Sequence, residues 1–294
     1  MEDERRIIPP SRIGFAFGSG GTLIVFQVGA VEIFKDKLKL PPEDIVAIGV
    51  SGGAIVGASL VSENFSNERL VETFLSFKKK SDIFKRRVRP GSIYSLEKLD
   101  KIISKKIDFK KLIASPATFI ATASEVPDDE TVFFSSKDPE IISSPEIMKQ
   151  AILASSAIEG IFPPVKINYG GKAKEFIDGA ATIPLPLKKL MKLGCNTIIV
   201  IRCRSSKIRK PYPRTILNRW AYGKSLSLKK TEKAEINFIR EHALWVNLFV
   251  IEPDWLPETL TPYSWGKGDF EKAMKHGREV AERELKPLLR YYGV

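Results

Sequence analysis

A chain of 294 residues with 47 basic and 35 acidic side chains carries a formal charge of +12, which turns its surface toward anionic partners, nucleic acid and anionic lipid alike. Hydrophobic residues at 43% and charged residues at 28% exclude a disordered chain and leave room for one large α/β domain. The two cysteines, Cys195 and Cys203, have no C-x-x-C pair or nearby histidine cluster; this argues against a disulfide framework or a structural zinc site and for a reducing, cytoplasmic setting.

Residues 1–12 are charged and proline-rich toward their end and are predicted as a flexible tail, with 13–294 as one domain. The run from Ile13 to Val31 has no charged residue, long enough to suggest a membrane span. Its middle, Gly18-Ser19-Gly20-Gly21-Thr22, is a poor helix former that would leave polar backbone in lipid. Acids precede the run and no small-residue cleavage site follows it, which argues against a signal peptide. It reads instead as a strand over Ile13–Phe17, a glycine turn, and a buried helix marked by Leu23, Phe26, Ala30, Ile33 and Phe34.

After the Pro41-Pro42 break, Ile45–Val50 reads as a second apolar strand, and Ser51-Gly52-Gly53 turns it into a helix over 54–61. Helical patterns follow over 67–77 and 96–107, joined by a basic connector. Strands are predicted over 118–122 and 131–134, then a helix over 145–154 that runs to Phe162-Pro163-Pro164. Phe176-Ile177 is a short strand ending at Asp178. A helix over 185–193 precedes the β-branched strand Thr197–Ile201, of the fully buried kind. A last strand over 246–251 leads to an amphipathic helix through Phe270, Met274, Gly277, Ala281, Leu285 and Leu288. This alternation predicts an α/β fold, a mainly parallel central sheet sandwiched between helices.

Three segments carry candidate chemistry. Gly49-Val50-Ser51-Gly52-Gly53 is a G-x-S-x-G, a pattern that chance supplies in about one chain of this length in ten. Its context is more specific: an apolar strand enters it and an apolar helix leaves it, as a nucleophile elbow requires. Small neighbours at Gly49 and Gly53 suit the sharp turn, and the following helix directs its positive end at charge developing near Ser51. A tight turn with a helix-capping serine fits the same residues. Gly18, Ser19, Gly20, Gly21 and Thr22 also lie between strand and helix, where backbone N–H groups can serve as an oxyanion hole or as a generic anion-binding turn. Leu23 stands where a dinucleotide fingerprint needs glycine, and no Gly-Lys-Ser/Thr is present for a P-loop.

Asp178-Gly179 comes directly after a short strand; by itself it is a common turn dipeptide. Its interest comes from the shortage of bases, because the chain has only His242 and His276. Both read as surface or satisfied residues on charged helices, yet the order Ser51, Asp178, His242 matches that of a His-dependent α/β-hydrolase.

Together these segments resemble the patatin-like phospholipase family, which uses a Ser-Asp dyad without histidine. The family's glycine-rich oxyanion turn, elbow and later Asp-Gly are matched by Gly18 to Thr22, Gly49 to Gly53, and Asp178-Gly179-Ala180. Ala154-Ser155-Ser156-Ala157, Phe162-Pro163-Pro164-Val165, Gly170-Gly171 and Pro184-Leu185-Pro186 are similar to the stretches around its aspartate. Leu23-Ile24 depart from the Arg-Gly that many bacterial members carry.

The resemblance implies a three-layer fold and a lipid acyl hydrolase of the phospholipase A or lysophospholipase type. Ser51 is then the nucleophile and Asp178 its base, with no metal and no organic cofactor. Lys78-Lys79-Lys80 and Lys85-Arg86-Arg87 flank Ile83-Phe84, and residues 202–231, read as a basic insertion, hold ten basic and no acidic residues. Such stretches suit peripheral docking on an anionic membrane. Phospholipid is the expected partner and nucleic acid is not. A catalytically silent relative binding lipid or nucleic acid is the non-enzymatic alternative.

Overall fold

The computed structural model describes residues 7–37, 41–66, 68–87, 91–205, 207–208 and 216–293. In chain order the N-terminal half forms β1 (Ile13–Phe17), α1 (Val25–Lys37), β2 (Ile45–Val50), α2 (Gly52–Ser62), α3 (Glu68–Ser76), β3 (Lys85–Arg86), β4 (Tyr94–Ser95), α4 (Glu97–Lys106) and α5 (Phe109–Ala114). It continues with β5 (Thr118–Val126), β6 (Thr131–Ser135), α6 (Pro139–Ser143), α7 (Pro145–Ser155), β7 (Val165–Tyr169) and β8 (Lys172–Asp178). The remainder is α8 (Leu187–Lys192), β9 (Thr197–Ile201), α9 (Ile216–His242), β10 (Asn247–Ile251), α10 (Asp269–Glu284) and α11 (Lys286–Tyr291).

Eight strands form one sheet in the order β10-β9-β1-β2-β5-β8-β7, with β6 also paired to β5. The first five are mutually parallel, and β6, β7 and β8 add antiparallel pairs. The two-residue period of a strand sorts its side chains onto two faces. Phe15, Phe17, Ala47, Ile199 and Ile201 pack with residues of α1, α2, α7 and α10. Their neighbours Ala16, Val46, Ile48, Ile198 and Val200 pack with Leu187 and Leu190 of α8 and Ile236 and Ile239 of α9. Three layers result, and the sheet's parallel strands are buried on both sides, as their unbroken apolar runs require.

The tail expected to be loose is tied down over its described part. Asn247 Nδ2 donates to the Ile8 carbonyl at 2.7 Å and Asn196 Nδ2 to that of Pro9 at 2.9 Å; residues 1–6 lie outside the described residues. Several further elements were not assigned in the sequence reading, among them α5, α6, β7 and α9. The Gly170-Gly171 stretch is the turn of the β7–β8 hairpin. The segment taken as a basic insertion is in large part α9, 27 residues long.

Helices α1 and α10 cross with backbone nearly touching backbone. A Cβ on Gly29 would lie 1.9 Å from the Met274 carbonyl oxygen, and one on Gly277 would lie 2.1 Å from that of Phe26. Neither neighbour can rotate away, so Gly29→Ala must push two helices apart. It is expected to cost roughly 2–4 kcal/mol, read as a lowered urea midpoint with unchanged slope.

Candidate active site

The register on β5 brings two distant strand ends together. Strand β6 occupies one edge of β5 from Ile120 to Ser124, so β2 and β8 must share the other edge. Val50 pairs with Thr122 at the end of β2, and Asp178 pairs with Ala123 at the end of the oppositely directed β8. The two strands therefore meet head to head on adjacent residues of β5, and the residue next after β2 is Ser51. Ser51 Oγ donates to Asp178 Oδ2 at 2.6 Å.

The elbow geometry explains the small residues. Ser51 has φ 58° and ψ −135°, a left-handed region that a non-glycine residue occupies at a cost of order 1–3 kcal/mol. A Cβ on Gly53 would lie 2.5 Å from the Phe17 carbonyl oxygen, and one on Gly49 would lie 2.4 Å from Ala54 Cα. The turn thus packs against both β1 and its own helix with no room for side chains. Ser155 Oγ accepts from the Ser51 N–H at 2.8 Å, fixing the strained peptide from α7.

Asp178 is buried, and burial pushes its carboxyl up from 3.8 to about 6. Hydrogen bonds from Ser51 and from the Ala180 N–H (2.8 Å) oppose the rise, Glu159 adds to it, and Lys224 works against it. Glu159 and Lys224 are ion-paired with each other. A carboxylate with this raised affinity for protons, hydrogen-bonded to a hydroxyl, has the arrangement of a general base.

Neither imidazole is hydrogen-bonded to Ser51 or Asp178. His242 ends α9 with its side chain 61% exposed, beside Glu241 and Phe238. His276 Nε2 is engaged elsewhere, accepting from the Asp254 and Trp255 N–H groups. The Ser51 hydroxyl bonds to a carboxylate instead.

The glycine turn after β1 is narrower in its donors than the sequence suggested. The Gly18 N–H donates to the Ile201 carbonyl and the Thr22 N–H to that of Pro262, both at 3.0 Å, so neither N–H is available to an oxyanion. Among the described residues, nothing accepts from the N–H groups of Gly20, Gly21 or Gly52. Gly21, Thr22, Ser51 and Gly52 line one cavity. Its remaining wall is mostly apolar, including Ile55, Phe74, Phe84, Leu99 and Phe162, with Tyr263 close to the site. Burial and the nearby Asp178 carboxylate both raise the Tyr263 hydroxyl above its ordinary value. This cavity was not read from the sequence.

A family model for patatin-like phospholipases matches residues 15–191. The chain belongs to that family. The match runs from within β1 through the elbow and Asp178 to within α8, so every candidate site residue lies inside this patatin-like region. No curated protein matches the chain. Among solved structures it is similar to VipD from Legionella pneumophila, at 12% identity and a TM-score of 0.49, over 95% of this chain and 67% of that one. It is also similar to the type III effector protein ExoU, at 12% identity and a TM-score of 0.36, over 96% of this chain and 54% of that one. As a patatin-like phospholipase the chain is a hydrolase of the lipid acyl class.

Among the described residues no group of three or more His, Cys, Asp or Glu side chains is placed to hold a metal ion. No described helix is long and apolar enough to cross a membrane. The basic segment is less free than its composition implied. Arg202 is buried and ion-paired with Glu232 and Glu252, and Lys207 pairs with Asp254. Residues 206 and 209–215 lie outside the described residues.

Proposed function

We propose that this protein hydrolyses acyl esters of phospholipids or related lipids through an acyl-enzyme on Ser51, with Asp178 as the base. The observation that carries this reading is the 2.6 Å hydrogen bond from Ser51 Oγ to a buried carboxylate, at the wall of an apolar cavity. Ser51 Oγ attacks the ester carbonyl while its proton passes to Asp178. N–H groups of Gly20, Gly21 and Gly52 receive the oxyanion. The tetrahedral intermediate collapses, and the leaving alkoxide takes the proton from Asp178. A water then attacks the acyl group, giving its proton to Asp178, and the fatty acid departs as Ser51 is reprotonated.

A fluorophosphonate probe tests this. Peptide mapping by mass spectrometry is expected to find the phosphonyl group on Ser51 of the purified protein and no label after Ser51→Ala. A wild-type protein carrying no label at Ser51 rules the acyl-enzyme out.

Access from an anionic membrane fits the flank of the cavity. Lys78, Lys79, Lys80 and Arg86 are exposed next to the lining residues Phe77, Ile83 and Phe84, with Leu75 at 44% and Ile93 at 42% exposure nearby. Basic residues near such a surface each contribute about 1 kcal/mol. Combined Lys78→Glu, Lys79→Glu and Lys80→Glu is therefore expected to weaken co-sedimentation with phosphatidylserine-containing vesicles by more than about tenfold. Unchanged partitioning would place the membrane face elsewhere.

A further inference from the structure

The glycine turn is held by a charged clamp that lies outside the segment matching the family. Arg204 Nη1 donates to the Ser19 carbonyl oxygen, to Ser19 Oγ at 2.7 Å and to Glu232 Oε1 at 3.3 Å. Glu232 is fully buried on α9, and its other oxygen accepts from Arg202 Nε at 3.0 Å and Nη2 at 2.7 Å. Arg202 Nη1 reaches Glu252 at 3.1 Å, just past β10. Two guanidinium groups and two carboxylates thus compensate one another in a desolvated cluster, an arrangement that fixes geometry and that loses heavily when one member is removed.

Peptide geometry decides which group this cluster controls. A trans peptide is planar, with its carbonyl and N–H pointing to opposite sides. Arg204 holds the Ser19 carbonyl, so the Gly20 N–H of the same peptide is directed away from the guanidinium. Each neighbouring peptide of the turn has its own restraint. Gln27 Nε2 holds the Gly18 carbonyl at 2.7 Å, the Leu23 N–H holds that of Gly20 at 3.1 Å, and the Pro262 carbonyl holds the Thr22 N–H. A peptide leading into glycine flips readily unless it is held, and Arg204 is what holds this one.

We infer that Arg204, locked by Glu232, is a positioning residue that orients the Gly20 N–H for the oxyanion formed on attack by Ser51. Arg204 itself does not line the cavity. This rests on the acyl-enzyme reading. It adds that the oxyanion turn is set by α9 and by the segment after β9, not by the glycine motif alone. A donor displaced by about 1 Å can cost on the order of a hundredfold in rate.

The test uses the full chain, p-nitrophenyl butyrate as substrate, and the variants Arg204→Met, Arg204→Lys and Glu232→Gln, with folding checked by circular dichroism. Arg204→Met is expected to lower kcat about a hundredfold with KM within about threefold. Arg204→Lys is expected to restore kcat to within about tenfold of wild type, because an ammonium can donate to both Ser19 oxygens. If Arg204→Met does not fold, the near-isosteric Glu232→Gln carries the test, with an expected fall in kcat of about tenfold. A folded Arg204→Met or Glu232→Gln with kcat within about threefold of wild type overturns the inference. So does a loss in Arg204→Met that Arg204→Lys fails to restore, since that marks packing and not orientation. Fluorophosphonate labelling of the wild type separates the two levels. Labelling at Ser51 with indifferent clamp variants removes the clamp alone, whereas no labelling removes the acyl-enzyme and the clamp's role together.

Discussion

Asp178→Asn is expected to lower kcat for ester hydrolysis by about three orders of magnitude while raising thermal stability at pH 8. The amide fills the same space, and its oxygen can still accept from the Ala180 N–H that now bonds Asp178 Oδ1. It cannot take the Ser51 proton. The stability gain comes from the raised carboxyl. Burial lifts Asp178 from 3.8 to about 6, so the folded state favours the protonated form. The stability that this group contributes is complete below pH 3.8 and is lost as pH rises through about 6. A shift of that size corresponds to a penalty of order 3 kcal/mol above about pH 7. The uncharged amide escapes it, so a melting temperature several degrees higher is expected at pH 8, with the gain vanishing below about pH 4. In the wild type the same ionisation works the other way on rate. The base must be deprotonated, so kcat/KM rises through about pH 6 and levels off above it. His242→Ala serves as the control: its exposed side chain has no bond to Ser51, and hydrolysis should be unaffected. An active Asp178→Asn, or a collapse in His242→Ala, would reassign the base.

Most of the sheet and the turn at Ser51 were legible because their signals are local, whereas Asp178 stood out only through the shortage of bases and the family resemblance. Thr197–Ile201 reads as a buried strand from five β-branched residues, and Ser51 stands between an apolar strand and an apolar helix. Val165–Tyr169 also carried a local signal. Val165 and Ile167 are buried, Lys166 and Asn168 exposed, and two glycines follow, which is the period and turn of a hairpin. The rest depends on contacts between distant residues. Nothing in the spacing of Ser51 and Asp178, 127 residues apart, says that β2 and β8 meet on one edge of β5. Resemblance to the family supplied that pairing. The stretch from Arg202 reads as a basic docking surface because no acid lies inside it, yet Arg202's partners lie 30 and 50 residues further on. Composition also cannot tell which N–H groups of a glycine turn are taken up by other carbonyls, as those of Gly18 and Thr22 are by Ile201 and Pro262.

Octanoyl esters are expected to exceed butanoyl esters in kcat/KM by about a hundredfold. The cavity lined by Ser51 and Gly52 is lined also by Ile55, Leu70, Phe74, Ile83, Leu99 and Ile102. None of these can hydrogen-bond a head group, and all can cover an alkyl chain. Each methylene moved from water into such a wall contributes about 0.8 kcal/mol. Four additional methylenes therefore amount to about 3 kcal/mol, or roughly two powers of ten in rate. The gain is realised only while the chain has somewhere to go. Ile55 lies one turn along α2 from the nucleophile, so the larger ring of Ile55→Trp would occupy the channel close to the reacting carbon. The octanoyl-to-butanoyl ratio should then drop below about ten. The ratio is the informative quantity, since strain from the larger ring lowers turnover of both esters together and cancels. A wild-type ratio near one would mean that the acyl chain leaves Ser51 by another route, and that this cavity serves some other part of the lipid.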